Sequence, residues 1–470
     1  MENHSGNTDT EKYRDKIATV DEHGRRIWIY PKKPKGYFYN LRTYVSWGLL
    51  AILFGLPFIK VNGEPLVLLN VLERNFILFG IHFTPQDFHL FVFAMLTLIV
   101  FIVLFTVIFG RLFCGWVCPQ TIFMEMVFRK IEYWIEGDAN AQRRLNKAPW
   151  TKEKIFKKVS KHLFFVLISI LIAHTFLSYI VGVDQVQEII SQSPMTNLGG
   201  FMAMVIFTAA FYFVFSRLRE QVCTTICPYG RLQGVLTDKN TILVSYDFIR
   251  GEPRGKIRKK EIPAPTVSTG DCVDCTLCVQ VCPTGIDIRD GVQLECVNCT
   301  ACMDACDAVM DKIGRQKGLI RYDSLNGIES KRKSIFTPRV LAYTAVLLIL
   351  MVSNIAMLGS RSDLEAVILR TPGMLFQKVD ENHISNLYNF QIYNKTNRSL
   401  EVLLKLKSAD GELKMVGKSP VVSPTSMSEG AFFIEMNRSG LKGRKNKVIV
   451  QIYAGEKLMD EVSTNFFGPG

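Results

Sequence analysis

Five apolar stretches constrain this chain more than anything else in it. Each approaches the roughly 20 residues that a helix needs to cross the hydrocarbon core of a bilayer. They occupy residues 44–58 (extended by 59–61), 88–109, 162–183, 199–215 and 338–358. The first is the least regular, because Pro57 and Lys60 interrupt it, although a lysine near a helix end snorkels to the interface. The forty residues before it are polar and charged and do not read as a cleavable signal peptide.

Positive charge orients these spans, since short loops rich in Lys and Arg stay on the cytoplasmic side. Residues 1–42 carry nine such residues and 112–161 carry ten. The connection 62–87 has only Arg74, and 184–198 has none. Residues 217–339 are again basic and end in Lys331, Arg332 and Lys333. The pattern predicts a multi-pass inner-membrane protein whose amino terminus, 112–161 loop and 217–339 region are cytoplasmic. An odd number of spans sends residues 361–470 to the periplasm. The net charge of +13 follows from this bias and from attraction to anionic membrane lipid, so nucleic acid is not an expected partner.

Residues 361–470 are a different kind of polypeptide. Alternating runs at 389–393, 400–406, 431–436 and 447–453 read as strands, with turn chemistry such as Ala409-Asp410-Gly411 between them. About seven short strands in that length predict an immunoglobulin-like β-sandwich. It contains no cysteine, so no disulfide staples it, and it reads as a docking module.

All twelve cysteines fall into four motifs. Cys272, Cys275, Cys278 and Cys282 are spaced C-x-x-C-x-x-C-x-x-x-C and followed by Pro283. Cys296, Cys299, Cys302 and Cys306 repeat the spacing, with Asp307 in place of the proline. In bacterial two-cluster ferredoxins with this spacing, the fourth cysteine of each run ligates the other cluster. The prediction is one [4Fe–4S] cluster on Cys272, Cys275, Cys278 and Cys306, and a second on Cys296, Cys299, Cys302 and Cys282. Zinc sites usually keep C-x-x-C pairs well apart. Disulfides need an oxidising compartment, which the charge pattern denies this segment.

The remaining four cysteines form an internal repeat. Arg111-Leu112-Phe113-Cys114-Gly115-Trp116-Val117-Cys118-Pro119 ends the second span, and Arg217-Leu218 leads to Cys223-Thr224-Thr225-Ile226-Cys227-Pro228 after the fourth. A spacing of four predicts two thiols on one helical face, close to where Pro119 or Pro228 perturbs the helix. The two copies are candidates to gather four thiols at the membrane edge. Small buried residues packing a helix end would explain the spacing too. Soft thiolates select Cu(I) or iron–sulfur clusters, and such pairs also form reversible disulfides; the residues leave these open. His162 and His174, His82 and His89, and the methionines Met202, Met204, Met351 and Met357 are weaker candidates, explained more simply by packing or by the interface.

The order of these parts resembles the CcoG (FixG/RdxA) family of cytochrome oxidase accessory proteins, over nearly the whole chain. Asn62-Gly63-Glu64-Pro65, Arg74-Asn75-Phe76 and Pro85-Gln86-Asp87 agree locally as well. The resemblance implies an inner-membrane protein that reduces Cu(II) to Cu(I) for assembly of cbb-type cytochrome c oxidase. Cys114, Cys118, Cys223 and Cys227 would then be its copper-facing catalytic thiols. The implied partners are copper ion, oxidase assembly factors or copper transporters, membrane lipid and an electron donor that the resemblance does not identify. The alternative is a membrane subunit that passes quinol electrons to a partner oxidoreductase without copper chemistry; a scaffold with structural clusters is the third reading. The expected divisions are an amino-terminal segment (1–42), a four-helix membrane region (43–240), a ferredoxin-like domain (241–337), a fifth span (338–360) and the sandwich (361–470).

Overall fold

The computed structural model describes residues 18–469 apart from 22, 62, 72–74, 80, 84–86, 257–269, 332–334, 374, 397, 408–410, 425 and 442. Residues 1–17, Asn62, Arg74, Pro85, Gln86, Arg332, Lys333, Ala409 and Asp410, on which several expectations rest, lie outside the described residues.

Among the described residues, five helices are long and apolar enough to cross a membrane: Tyr37–Phe58, Phe88–Phe109, Lys152–Val181, Leu198–Leu218 and Pro338–Gly359. The first begins earlier than expected and ends in a 3-10 turn over Leu56–Phe58, where Pro57 has no amide to donate. Lys60–Val61 is a strand, so the expected helical extension through 59–61 is not formed. The third begins at a Thr151 cap, whose hydroxyl accepts from the Lys154 amide at 3.3 Å. It stops at Gly182, whose φ of 91° suits glycine alone. Val183, expected to end this span, starts a separate helix, Val183–Ser191.

The chain divides into two compact units, one of residues 1–58 with 95–351 and one of 59–94 with 352–470. In the first unit, Phe128 stacks on Phe215 at 4.5 Å and meets Phe165 edge-on at 4.7 Å. A buried ionic network lies beside them. Arg219 donates two hydrogen bonds to Glu132, at 2.7 and 2.8 Å, and Lys161 lies 3.0 Å from Glu136. Glu220 pairs with Arg26 at 2.8 Å. Further along, Leu243–Tyr246 and Ile320–Asp323 form a small antiparallel sheet. Val244, Tyr246, Ile288, Met303, Met310 and Ile320 pack there with most of the ferredoxin-type cysteines.

The second unit is a two-sheet β-sandwich built from nine strands among the described residues of 361–470. Gly411–Met415, Met427–Asn437, His383–Asn394 and Leu364–Arg370 lie in one sheet, with the short Gln377–Lys378 added to it. Val421–Val422, Leu400–Leu406, Lys445–Ala454 and Lys457–Phe467 make the other. All four expected strand runs fall inside these strands. Tyr388 and Phe432, both fully buried, pair in register and stack at 5.5 Å.

Residues 62–87 read from sequence as a plain connection, yet they contain antiparallel strands Val67–Asn70, Asn75–Leu78 and Ile81–Phe83 within this second unit. Asp87, 3% exposed, ties them to the sandwich through Arg361 at 2.8 Å and Lys395 at 2.7 Å.

Candidate metal centre

The two long cysteine runs fold as copies of one loop. Asp274 and Thr276 in the first, and Asn298 and Thr300 in the second, have φ of 50°, 57°, 53° and 65°. Asp and Asn enter this left-handed region readily; a β-branched threonine there is an outlier. Matched strain at Thr276 and Thr300 marks backbone held in shape for a purpose. Each threonine then precedes a helix, Leu277–Gln280 or Ala301–Ile313, which carries the third cysteine of its run.

Two small cavities lie between the loops. One is lined by Cys272, Cys275, Cys278 and Cys306. The other is lined by Cys282, Cys296, Cys299 and Cys302, with Cys278 shared. The fourth cysteine of each run thus crosses to the other's cavity. Burial pushes the thiols of Cys278, Cys296 and Cys306 up to about 12. Thiolates there are costly unless metal takes the place of the proton. Among the described residues, no three His, Cys, Asp or Glu side chains converge as they would on a single ion. Four thiols spread round an apolar cavity suit a four-iron cube, which is larger than an ion.

The membrane-edge motifs also share one backbone. Gly110 and Arg219, at φ of 53° and 54°, end the preceding spans. Four residues later come Cys114, on the helix Leu112–Trp116, and Cys223, on the π-turn Val222–Ile226. Cys118 and Cys227 donate their amides five residues back, to Phe113 at 2.9 Å and Val222 at 2.8 Å. Both take extended backbone, with Pro119 and Pro228 opening the next helices.

The expectation of two thiols on one continuous helical face is therefore corrected. A residue before proline is pushed out of the α region, and proline is favoured at the first helical position. The backbone also pairs Gly110 with Arg219 and Arg111 with Glu220, so Arg111-Leu112 and Arg217-Leu218 are not equivalent.

The two copies hold each other's first cysteine. Gln233, after the second proline, donates Nε2 to Cys114 Sγ at 3.5 Å. Thr121, after the first proline, lies 3.9 Å from Cys223 Sγ. Burial raises Cys114 to about 11 and Cys223 to about 12. Cys118, Cys114 and Cys227 all lie close enough to push the Cys223 thiol further up, so the four thiols share one neighbourhood.

This neighbourhood touches the second ferredoxin-type loop. A Cβ added to Gly115, between Cys114 and Cys118, would stand 2.4 Å from the Val297 carbonyl oxygen and 2.7 Å from that of Asn298. Only glycine allows that approach. Trp116 Nε1 donates to Tyr322 Oη at 3.1 Å, and Tyr322 Oη donates to the Asn298 carbonyl at 3.3 Å.

Other sequence candidates stay apart from the thiols. His162 Nδ1 pairs with Tyr212 Oη at 2.9 Å, and His174 Nδ1 bonds the Ile170 carbonyl at 2.6 Å. Met202 and Met351 are exposed on their helices. Gly115, Thr121 and Gln233 escaped sequence reasoning, and only the Gly within C-G-W-V-C hinted at the first.

A family model described as a 4Fe-4S dicluster domain matches residues 218–325, and one described as a 4Fe-4S binding domain matches 91–138, which hold Cys114 and Cys118. A third, described as an IG-like fold at the C-terminal of FixG, matches 354–469. Protein RdxB of Cereibacter sphaeroides is 33% identical over 87% of this chain and 88% of its own length. Protein RdxA of the same organism is 31% identical over 82% and 83%. Nitrogen fixation protein FixG of Rhizobium meliloti is 37% identical over 64% of this chain, a match that spans 58% of FixG.

Proposed function

The chain belongs to the FixG/RdxA family of iron–sulfur membrane redox proteins, with an immunoglobulin-like carboxy-terminal domain, and from that premise we propose that it reduces Cu(II) to Cu(I) for assembly of a cbb-type cytochrome c oxidase. One observation carries this reading: four thiols share one neighbourhood at the membrane edge, and Gly115, between two of them, stands against the loop that bears Cys296 and Cys299. The clusters supply single electrons when bound. Cys272, Cys275, Cys278 and Cys306 would hold one, and Cys282, Cys296, Cys299 and Cys302 the other.

Cys114, Cys118, Cys223 and Cys227 bind the copper, which is substrate, two thiols at a time, since among the described residues no three converge on one ion. Cu(II) takes one electron, and thiolates favour the softer Cu(I). Gln233 and Thr121 orient Cys114 and Cys223, and each thiol gives up its proton as copper binds. Copper transporters or assembly factors would deliver and collect the ion. In this reading the cysteine-bearing region is cytoplasmic and residues 361–470, a docking module, are periplasmic.

Anaerobically purified protein, reduced and then given one equivalent of Cu(II), is expected to lose the Cu(II) EPR signal while its reduced-cluster signal falls. Persistence of the Cu(II) signal beside reduced clusters would refute the copper reading and leave electron transfer to another acceptor. Reporter fusions after residue 330 are expected to read cytoplasmic, and fusions after residue 400 periplasmic; the reverse pattern overturns the sidedness.

A further inference from the structure

Two buried arginines without a carboxylate adjoin the loop that bears Cys296 and Cys299. Arg42 is 4% exposed and Arg111 6%. Arg42 donates Nε to the Gly115 carbonyl at 2.6 Å, while its NH2 group is buried with no hydrogen-bond partner. Gly115 lies against the Val297 and Asn298 carbonyls, between Cys296 and Cys299. Arg111 donates to the Gly230 carbonyl and shares a pocket wall with Cys296 and Asn298. Among the described residues, no carboxylate lies within 4.0 Å of either guanidinium. A buried cation without a counter-charge is costly, so an anion is expected on the side of these two where Cys296 and Asn298 lie.

The first cavity is built the other way. Arg289 on its wall is matched by Asp274 and Asp287, each at 2.6 Å. Cys275 is exposed.

We propose that Arg42 and Arg111 are the counter-charges of the cluster held by Cys282, Cys296, Cys299 and Cys302, and raise its reduction potential above that of the cluster held by the other four cysteines. An electron arriving at the exposed side therefore settles beside the membrane-edge thiols. One-electron reduction adds a negative charge and breaks no bond. A nearby cation stabilises the more negative state, and net charge and solvent exposure are among the factors that set such potentials. The inference rests on the cluster reading and is independent of copper.

The test is an EPR-monitored potentiometric titration of full-length protein, after iron and acid-labile sulfide are counted in each preparation. Arg42→Gln is expected to lower one midpoint so that its reduced fraction falls at least tenfold at fixed potential, about 59 mV for one electron. The other midpoint stays put, and Arg42→Lys restores the first. Unchanged midpoints in Arg42→Gln with full iron, or an Arg42→Lys variant as low as Arg42→Gln, would overturn the proposal. Should Arg42→Gln fail to load iron, the wild type decides, with Cys299→Ser perturbing one signal. If that signal is the higher-potential one the assignment stands, and if it is the lower one the assignment fails. Low iron in the wild type would count against the cluster reading itself.

Discussion

A Cys118→Ser, Cys227→Ser double variant is expected to lose copper reduction by more than about 100-fold, the upper end of what removing a mere outer-shell partner costs a metal site. Its iron and sulfide content should equal that of the wild type. Serine keeps the size of the side chain but offers a hard hydroxyl that stays protonated, so it cannot replace a thiolate towards Cu(I). Both positions are extended residues ahead of a proline, and serine is tolerated there, so the backbone should hold. Lower iron in the variant would instead assign the four thiols to a further cluster, and normal copper reduction would end the copper assignment.

The same site predicts a pH dependence with a definite sign. Burial holds Cys114 at about 11 and Cys223 at about 12, so both are protonated at neutral pH and copper must displace those protons. Cu(I) affinity should rise with pH between 6 and 9, about tenfold per unit for each proton released. Competition with a Cu(I) chelator across that range measures the slope. A flat profile would mean that neither thiol binds copper.

Glu132→Gln is expected to destabilise the protein by about 3 kcal/mol, the lower end for breaking a buried ion pair, because it removes the nearer of two carboxylates from Arg219 and leaves only Glu220 at 3.6 Å. Glu132 is 2% exposed and Arg219 5%, and two hydrogen bonds join them. Desolvation alone would raise the Glu132 carboxyl, but Arg219 first, then Lys161 and Arg129, outweigh it and hold it below the usual carboxylate range. A depressed folded value means that this stabilisation is complete above the unfolded carboxylate pKa. It is lost as pH falls through the folded value. The difference in melting temperature between wild type and variant should therefore be largest near neutrality and shrink in acid. A Glu132→Gln protein that melts with the wild type at pH 7 would show the network to be energetically idle.

The amino-acid sequence by itself determined the parts and their order. Apolar length alone picks out five spans, since a bilayer demands a run of such residues and nothing else in the chain supplies one. Cysteine spacing alone pairs Cys306 with the first run and Cys282 with the second, because that spacing allows each tight loop only three converging thiols. Alternation along 389–393 and 447–453 was enough to read strands, as side chains in a strand change face at every residue.

Only the tertiary structure decided how those parts meet. Proline's effect on its neighbour moved Cys118 and Cys227 out of a helix, against a spacing rule that assumes an unbroken one. Cys114 meets Gln233 across 119 residues, and Arg42 meets Gly115 across 73. The strands within 62–87 join the sandwich through Asp87, which meets Lys395 across 308 residues. Local pattern carries no record of such pairs, because they form only when packing brings distant segments together. The spacing named the thiols; the fold set Gly115, between two of them, against one loop and brought two arginines without a carboxylate to it.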